Sequence, residues 1–551
     1  MTLDDLGMIF KFIGGLGMFL YGMHIMADGL QKSAGGRLKK LMSFLTKNRF
    51  IAVLVGTGIT AIIQSSSATT VMVVGFVNAG MLSLTQAVGV IMGANIGTTV
   101  TAWIISLSEF GSFLKPEFYA PVLVGIGAFN LLFAKSEKKN KIGEILIGVG
   151  VLFIGLSFMS DAIKPYSGST VFFDVFATLG RNPVLAILAG AVVTGILQSS
   201  SASVGILQTL ALNGVVNWRS AVFITLGQNI GTCVTALLSS AGASKNGKRA
   251  SVIHLLFNLI GAIIFGLIMY FLFLFNDSWA SSSINSVEIS IFHTIFNISN
   301  TIILFPFASR LVKLSEIIIK DKVGEVEAET VVTEVVRRLD RRILANPSFA
   351  LEAAKKEVGF MSKLTLKNIN VSVEAVETLN KGKIKEVYAT EADINQLERI
   401  LTTFLVEVDN LSLTEEQHLL VKNLFYTISD IERMGDHSEN IAEIAEIMRK
   451  DGIVFSKKGI KDINVISIET MEAVSMAIEA REKDDKKIAG LVGECENRVD
   501  ELEEEFREKH IQRLSKGKCA PESGVLFLEM LSNLERISDH ANNIAGYIML
   551  E

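Results

Sequence analysis

The stretch TAIIQSSSAT at residues 60–69 recurs as TGILQSSSAS at residues 194–203. A second pair of stretches, GANIGT at 93–98 and GQNIGT at 227–232, is separated by the same 134 residues. Self-similarity at one fixed offset is the sequence signature of an internal repeat. We therefore interpret most of residues 1–310 as two copies of one structural unit, each of roughly 120 to 130 residues.

Hydropathy and charge divide the chain into two unlike parts. The mean hydropathy is +0.42, and residues 1–310 contain repeated apolar stretches long enough for a membrane-spanning helix. Residues 319–551 are instead dense in Glu, Lys, Arg and Asp. We predict an all-α protein whose parts are a polytopic membrane domain at 1–318, a linker at 319–340 and a soluble domain at 341–551. Within the membrane domain we place repeat 1 at about 7–134, repeat 2 at about 142–275 and an extra helix at about 290–310.

The same composition argues against several classes of protein. The net charge is −5 with no concentrated basic face, so a nucleic-acid partner is not expected. The three cysteines contain no CxxC pair, which argues against a disulfide framework or a zinc site. There is no Walker motif, so we expect a gradient-driven transporter and not an ATP-driven enzyme. The apolar stretch at 7–29 lacks a basic leader and recurs in repeat 2, so we interpret it as a retained helix and not a signal peptide.

Charged loops predict the topology of the two repeats. Basic loops at 37–49, 135–141, 245–249 and 310–313 are expected in the cytoplasm by the positive-inside rule. We predict re-entrant hairpins at 50–80 and 183–214, with three crossings between them. Because three is odd, the repeats face opposite ways, which is the inverted-repeat architecture of secondary transporters. The soluble domain is then cytoplasmic and the protein is a multi-pass protein of the cell (inner) membrane.

The QSSS runs are the candidate transport site. Consecutive polar side chains within an apolar segment are costly unless they line a cavity or find partners. A helix–break–helix hairpin would expose carbonyl groups that suit Na⁺ and helix N-terminal N–H groups that attract an anion. Two Asn-Ile-Gly-Thr stretches add a second neutral polar layer. The candidate substrate- and sodium-binding residues are Gln64, Ser65, Ser66, Ser67, Thr69, Asn95, Thr98, Gln198, Ser199, Ser200, Ser201, Ser203, Asn229 and Thr232.

Several other polar residues in this half allow a structural interpretation. A lone serine in a membrane helix is usually a packing residue, but two QSSS runs at matching repeat positions favour binding. The spacing His-x-x-Phe-Asn occurs at both His254 and His293, and a structural and a functional role stay open for them. Asp28 and Asp161 lie near predicted helix ends, which favours an interfacial position over a proton-carrying one.

The paired QSSS and Asn-Ile-Gly-Thr motifs resemble those of the type II sodium–phosphate cotransporters over about residues 7–310. The resemblance implies that the substrate is inorganic phosphate, that Na⁺ is the coupling ion and that both QSSS motifs contribute to the sites. Electrogenic animal relatives carry an acidic residue three places before the asparagine that corresponds to Asn130. Here that place is Gly127, so the resemblance implies electroneutral coupling.

The soluble half contains a repeat of its own. IERMGDH at 431–437 matches LERISDH at 534–540, at an offset of 103 residues. Six amphipathic helical patterns surround these motifs, and we predict two three-helix units at 349–380, 384–410, 413–449, 461–483, 485–515 and 519–550. The carboxylates of Glu432 and Asp436, and those of Glu535 and Asp539, each share one helix face at i, i+4.

This arrangement resembles PhoU, in which E-x-x-x-D motifs carry metal clusters in some members. The resemblance spans about 340–551 and implies a metal ion held by Glu432, Asp436, Glu535 and Asp539. A solvated charged face, interrupted by Arg433 and Arg536, is the alternative. Carboxylates are hard ligands that suit several ions, so the identity of a metal stays open.

Three functional hypotheses follow from the sequence. The first is symport of inorganic phosphate with Na⁺ by alternating access, with the PhoU-like domain regulating transport. The second is a Na⁺-coupled carrier of another small anion such as sulfate or a dicarboxylate. The third is a membrane-anchored regulatory protein that acts through its PhoU-like domain, and the retention of two complete QSSS runs argues against it.

Overall fold

The positions of the helices in this computed structural model are described for residues 3–44, 48–109, 116–134, 136–320 and 330–551. The chain divides into two units by its internal contacts. The first comprises residues 1–325 together with the short segment Asp340–Asn346, and the second comprises residues 326–339 and 347–551. The regular secondary structure of each unit, over its described residues, consists of helices.

The first unit contains fifteen α-helices in its described residues. They are α1 Leu3–Phe44, α2 Arg49–Ile63, α3 Ser66–Asn78, α4 Leu84–Ser106, α5 Pro116–Phe133, α6 Glu137–Ile163, α7 Thr170–Arg181, α8 Pro183–Leu197, α9 Ser200–Leu212, α10 Trp218–Gly231, α11 Cys233–Ser239, α12 Lys245–Phe275, α13 Asp277–Ser281, α14 Ser286–Leu304 and α15 Ala308–Ile318. Six described segments are long and apolar enough to cross a membrane: Leu3–Ala34, Leu84–Glu109, Glu137–Tyr166, Trp218–Ser239, Lys245–Phe275 and Ser286–Ile318. The prediction of a polytopic helical membrane domain is confirmed.

Both predicted hairpins are broken at the QSSS motif. Gln64 ends α2 and Gln198 ends α8, and both adopt the left-handed conformation, with φ of 56° and 52°. The next serine caps the following helix, because Ser65 Oγ accepts from the Ala68 N–H and Ser199 Oγ accepts from the Ala202 N–H. A left-handed residue followed by an N-cap serine reverses the chain within two residues. The glutamine and the first serine of the QSSS motif therefore form the helix break.

Glycines bring the Asn-Ile-Gly-Thr helices against the hairpins. A Cβ placed on Gly93 of α4 would lie 2.0 Å from the carbonyl oxygen of Val53 in α2. At the equivalent position of repeat 2, a Cβ on Gly227 of α10 would lie 2.0 Å from the carbonyl oxygen of Ile187 in α8. No side chain fits at that distance, so these glycines set how closely each helix approaches the first arm of its hairpin.

The second unit contains seven helices in its described residues: α16 Val331–Arg338, α17 Pro347–Thr378, α18 Lys381–Asp409, α19 Glu415–Asp451, α20 Lys457–Lys483, α21 Lys486–Ser515 and α22 Pro521–Leu550. Helices α17–α19 pack on one another, as do α20–α22, and the two sets meet through the pairs α17–α20 and α19–α22. The six predicted helices and their grouping in threes are confirmed. Their cores are aliphatic, with fully buried residues such as Ile394, Ile431 and Leu534.

Candidate transport site

The tips of the two hairpins meet. Ser66 Oγ lies 3.4 Å from Ser200 Oγ, and the two residues occupy the same place in their repeats, 134 positions apart. Both side chains are buried. Hairpins that are separated by more than a hundred residues in sequence thus form one local structure.

Each hairpin tip presents the beginning of a helix. The first N–H groups of a helix have no partner within it. In α3 and α9 the N-cap serines satisfy the N–H groups of Ala68 and Ala202. The N–H groups of Ser66 and Ser200 have no protein acceptor among the described residues. Two helix N-termini that lie together, each with a positive partial charge, favour an anion.

The glutamines brace the hairpins. Gln64 Nε2 donates to the Ala61 carbonyl at 2.5 Å, and its Oε1 accepts from Thr101 Oγ1 at 2.9 Å. Gln198 makes the equivalent bonds to the Gly195 carbonyl at 2.6 Å and to Thr235 Oγ1 at 2.8 Å. The symmetry is incomplete, because Gln64 is buried whereas Gln198 is exposed. In this conformation both carboxamides hold the break in shape.

A hydroxyl pair links the two arms of each hairpin. Thr60 Oγ1 donates to Thr69 Oγ1 at 3.0 Å in hairpin 1, and Thr194 Oγ1 donates to Ser203 Oγ at 2.8 Å in hairpin 2. Hairpin 2 is also bonded by a glutamine, because Gln228 Nε2 donates to the Ser203 carbonyl at 2.9 Å and to Ser203 Oγ at 3.0 Å. Two of the predicted site residues, Thr69 and Ser203, are thus held by residues that we did not predict.

The Asn-Ile-Gly-Thr side chains are bonded mainly to their own helices. Asn95 Nδ2 donates to the Ile91 carbonyl and Asn229 Nδ2 to the Thr225 carbonyl, each at 2.8 Å. The hydroxyls of Thr98 and Thr232 donate in the same way to carbonyls one turn earlier, each at 2.9 Å. Because their protons are used, the hydroxyls of Thr98 and Thr232 offer oxygen lone pairs, which suit Na⁺, and Asn95 Oδ1 offers the same chemistry.

The remaining serines of the motif flank the tip. Ser67 is half-buried and Ser201 is buried. Thr70 Oγ1 donates to the Ser67 carbonyl, so a side-chain hydroxyl stabilises the first turn of α3. All four serines from the second and third places of the two SSS runs therefore lie in the first turns of α3 and α9.

Helix α14 reaches the site from outside the repeats. His293 Nε2 lies 3.3 Å from Asn229 Oδ1, and Asn297 Nδ2 donates to the same oxygen at 3.4 Å. His254 is buried in α12, and neither of its ring nitrogens has a protein partner among the described residues. The two histidines are therefore not equivalent, because only His293 contacts a candidate site residue.

Two acidic residues lie away from the hairpin tips. Asp161 pairs with Lys11 at 2.9 Å, and Asp28 lies 3.8 Å from His24. The Lys11–Asp161 pair joins the first part of α1 to the end of α6, whereas His24 and Asp28 are one turn apart within α1, so Asp28 does not lie near a helix end. A third acidic position is excluded by packing, because a Cβ on Gly127 would lie 2.7 Å from both the Gly143 carbonyl oxygen and an Ile147 side-chain carbon. A carboxylate at residue 127 therefore requires α5 and α6 to separate.

Two carboxylate clusters lie in the second unit. In the first three-helix set, Glu391 is buried and neither of its carboxylate oxygens has a protein partner among the described residues. Burial, together with the charges of Asp436, Glu439 and Glu432, raises the pKa of Glu391 to about 8. Glu432 and Asp436, which we predicted from the sequence, therefore lie together with a carboxyl that sequence reasoning missed.

The other cluster lies in the second three-helix set. Carboxylate oxygens of Glu496, Asp500 and Asp539 all lie within 4.8 Å of one another. Burial and the charges of Asp539 and Asp500 raise the pKa of Glu535 above its ordinary value, which places Glu535 beside the same group. Converging carboxylates of this kind fit a hard multivalent cation, whose charge would offset their repulsion.

The histidines of the repeated motif bond to residues other than these carboxylates. His540 Nδ1 lies 2.7 Å from Asp430 Oδ1, and His437 Nδ1 lies 2.8 Å from Asn533 Oδ1. Each histidine therefore bonds across the boundary between α19 and α22. Their role in the described structure is to join the two three-helix sets.

Comparison with protein families assigns both halves of the chain. The Na⁺/Pi-cotransporter family matches twice, at residues 18–161 and 157–291. The PhoU domain also matches twice, at residues 358–445 and 467–548. This chain belongs to the Na⁺/Pi-cotransporter family and carries a C-terminal pair of PhoU domains. The family assignment made from the QSSS and E-x-x-x-D motifs is confirmed.

Individual relatives cover different parts of the chain. YjbB of Escherichia coli K12, named as a candidate inorganic phosphate export protein, is 26% identical over 98% of this chain and 97% of its own length. The phosphate-specific transport system accessory protein PhoU homolog 1 of Thermotoga maritima is 26% identical over 36% of this chain and 85% of its own. The human sodium-dependent phosphate transport protein 2B is 31% identical over 20% of this chain and 16% of its own.

Proposed function

We propose that this protein transports inorganic phosphate together with Na⁺ across the cell membrane by alternating access at the paired QSSS hairpins. The observation that carries the proposal is the contact between Ser66 and Ser200, which joins the N-termini of α3 and α9 at one point. The names of the relatives, which concern phosphate export and sodium-dependent phosphate transport, support the same substrate and coupling ion.

Phosphate recognition at this site relies on neutral groups. Backbone N–H groups and serine hydroxyls of the QSSS motifs donate to phosphate oxygens. Carbonyl and hydroxyl oxygens from the two helix breaks and from Asn95, Thr98 and Thr232 ligate Na⁺, and Asn229, whose Oδ1 accepts from His293 and Asn297, supports this layer. Because these residues carry no formal charge, bound Na⁺ balances the charge of the anion. Binding of phosphate and Na⁺ is therefore mutually dependent, which is the requirement for coupling.

We further propose that coupling is electroneutral. The close packing of Gly127 against Gly143 and Ile147 leaves no space for the additional carboxylate that the electrogenic animal relatives carry. The direction of net transport is then set by the concentrations of Na⁺ and phosphate on the two sides. A carrier of this kind exports phosphate whenever the combined gradient points outward.

The PhoU pair is proposed to be a cytoplasmic regulatory domain. Its carboxylates Glu391, Glu432, Asp436 and Glu496, Asp500, Glu535, Asp539 would hold multivalent cations and so keep the helices of each three-helix set together. The relative in Thermotoga maritima, an accessory protein of a phosphate transport system, supports a regulatory role over a catalytic one.

Titration calorimetry on the purified full-length protein tests this proposal. We expect phosphate to release heat in NaCl and to release none in KCl or choline chloride at the same ionic strength. Sulfate and succinate are injected as competing anions, and we expect neither to displace phosphate. Equal phosphate binding in all three salts would contradict Na⁺ coupling, and preferential binding of sulfate or succinate would assign the carrier to another small anion.

A further inference from the structure

Two equivalent hydroxyls at the hairpins differ in what they can offer a ligand. A hydroxyl has one proton and two lone pairs. In hairpin 1, Thr69 Oγ1 donates its proton to the Ser65 carbonyl at 3.0 Å and accepts from Thr60. One lone pair of Thr69 remains, so toward a ligand this hydroxyl is an acceptor.

Ser203 occupies the same position in hairpin 2 and is bonded differently. Its Oγ accepts from Thr194 at 2.8 Å and from Gln228 Nε2 at 3.0 Å, which engages both lone pairs. The orientation of the Gln228 amide is fixed, because Nε2 also lies 2.9 Å from the Ser203 carbonyl, which can only accept. Ser203 therefore keeps its proton and is a donor toward a ligand.

We propose that Gln228 is a specificity-determining residue that makes Ser203 a phosphate contact, whereas its counterpart Thr69 is a Na⁺ contact. Phosphate oxygens accept hydrogen bonds, and Na⁺ requires lone pairs. The difference arises outside the QSSS motifs, because Ala94 stands where repeat 2 has Gln228. This assignment rests on the proposed Na⁺-coupled phosphate transport and divides its site into an anion half and a cation half.

Transport kinetics in proteoliposomes test the division. Gln228→Met keeps the volume of the side chain and removes the donor, so we expect the KM for phosphate to rise about tenfold with little change in the Na⁺ concentration for half-maximal rate. Thr69→Val should have the opposite effect: the Na⁺ concentration for half-maximal rate should rise, with little change in the KM for phosphate. Gln208→Met is the matched control, since Gln208 is an equally buried amide whose Nε2 bonds Ala102, Ser286 and Ser290 and not the hairpin break.

The result that overturns the inference is a Gln228→Met protein in which both parameters move together, or in which only Na⁺ dependence changes. Ser203→Ala should show the same split as Gln228→Met, and the double variant should be no worse than either single one. Ser203→Ala also serves if Gln228→Met does not fold, as judged by its thermal unfolding. A wild-type protein without Na⁺-driven uptake would contradict the proposed function itself, which separates the two failures.

A second observation concerns the short segment Asp340–Asn346, which belongs to the first unit although the chain on both sides of it belongs to the second. Its 3-10 helix, Arg341–Ala345, packs on α3, with Ile343 fully buried. A Cβ on Gly75 of α3 would lie 3.0 Å from the Arg342 Cβ. The helix that starts at the QSSS tip is thus covered at its other end by this segment.

Hydrogen bonds from the segment join both repeats. Asn78 Nδ2 at the end of α3 donates to Asp340 Oδ2 at 2.5 Å, and Arg342 Nε donates to the Ser239 carbonyl at the end of α11 at 2.8 Å. Arg342 also pairs with Asp340, so the two contacts form one chain of bonds. Asn346 Nδ2 adds a bond to Gln31 of α1 at 2.9 Å.

From these contacts we infer that Asp340–Asn346 is a clamp that holds the ends of hairpin 1 and repeat 2 together on the side where α3 ends. In alternating access, the inverted repeats must separate on each side in turn. A link between α3 and α11 opposes that separation. The segment continues directly into α17, so a change in the PhoU domains can pull on it through the backbone. The inference rests on alternating access but not on the identity of the substrate.

Cysteine accessibility tests the clamp in the full-length chain. The three native cysteines are replaced by alanine, and Val74, a buried residue of α3, is changed to cysteine. Arg342→Ala and Asp340→Asn are expected to raise the rate of labelling by a membrane-impermeant maleimide at least severalfold. Ala345→Ser, at an exposed position of the same 3-10 helix, should leave the rate unchanged.

Labelling rates that stay at the wild-type value in both Arg342→Ala and Asp340→Asn would overturn the clamp. The measurement needs neither Na⁺ nor phosphate, so it fails or succeeds independently of the substrate assignment. If the Val74→Cys protein is unstable, Asn78→Cys reports on the same end of α3. This substitution itself removes the hydrogen bond to Asp340. Rapid labelling of the Asn78→Cys protein is therefore expected even when Arg342 is unchanged.

Discussion

Ser66 Oγ and Ser200 Oγ lie 3.4 Å apart, at equivalent positions of two repeats that are 134 residues apart in sequence. The contact joins equivalent residues of the two repeats of the membrane domain through two neutral hydroxyls. A ligand bound there meets the beginning of one helix from each repeat.

Paired cysteines at the tips should form a cross-link. In a protein whose native cysteines are replaced, Ser66→Cys with Ser200→Cys is expected to oxidise rapidly to an intramolecular disulfide, because the two side chains already touch. Mass spectrometry of proteolytic fragments measures the product. Ser66→Cys with Ser203→Cys is the control, since Ser203 is turned toward Thr194 and Gln228. Equal yields of cross-link in both pairs would contradict the specific contact between Ser66 and Ser200.

The two threonines that hold the glutamines should differ in their effect on stability. Thr101→Val and Thr235→Val each remove the donor to a glutamine Oε1. Because Gln64 is buried and Gln198 is exposed, only the first change leaves a carbonyl oxygen without water. We expect Thr101→Val to lower the free energy of unfolding by about 1 to 3 kcal/mol and Thr235→Val by much less. Thermal unfolding in detergent compares them, and equal losses would contradict the difference in exposure.

Substitutions at residue 127 should destabilise the membrane domain. Gly127→Ala and Gly127→Asp each place an atom 2.7 Å from the Gly143 carbonyl oxygen, so α5 and α6 must separate. We expect a clear decrease in Tm for both, and no gain of electrogenic transport for Gly127→Asp in a voltage-sensitive dye assay. Gly125→Ala is the matched control, because no atom lies within 4 Å of a Cβ there. Phosphate-induced currents in a stable Gly127→Asp protein would refute the packing argument.

His510 should make the PhoU pair sensitive to acid. It is buried and stacks on Phe527, with ring centroids 4.3 Å apart, and burial and the neighbouring Arg513 lower the pKa of His510 below 6.5. Below pH 6.5 the unfolded chain takes up a proton that the folded protein resists, so stability falls as the pH falls from this value. His510→Phe keeps the stack and removes the titration. Calorimetric unfolding between pH 7 and 5 should show a shallower decrease for the variant, and identical slopes would contradict the assignment.

Metal binding should depend on the second carboxylate cluster. Asp539→Asn and Glu496→Gln each remove a ligand charge from a group whose oxygens lie within 4.8 Å. After treatment with a chelator and reloading with Mn²⁺, elemental analysis is expected to find less metal in both variants than in the wild type. Glu501→Gln, at an exposed position of the same helix, should bind as the wild type does. If the wild-type protein retains no Mn²⁺, the metal site is contradicted, and these carboxylates form a solvated charged face.

The repeat pattern made the hairpins predictable. Gln64 and Gln198 stand at one offset within apolar stretches, and the polar run marks the place where a helix must break. Thr101 and Thr235 obey the same offset and could have been found by extending the alignment by three residues beyond Asn-Ile-Gly-Thr. Site residues that are present in both repeats can therefore be found from the sequence.

Residues that break the symmetry were not predictable. Gln228 faces Ser203 although its counterpart is Ala94, and a single glutamine in an apolar helix has no pattern of its own. Glu391 and Glu496 lie on helices that approach the E-x-x-x-D motifs only in the folded bundle, and they are not spaced by the 103 residues of the motif. Their positions depend on tertiary packing, which local sequence does not encode.

The most direct test of the central claim is uptake of labelled phosphate into proteoliposomes that contain the full-length protein. With an inward Na⁺ gradient we predict accumulation of phosphate, none with K⁺ in place of Na⁺, and a strong decrease when Ser66 and Ser200 are both replaced by alanine. Uptake that is indifferent to Na⁺, or that persists unchanged in the Ser66→Ala, Ser200→Ala protein, would contradict Na⁺-coupled transport at the joined hairpins.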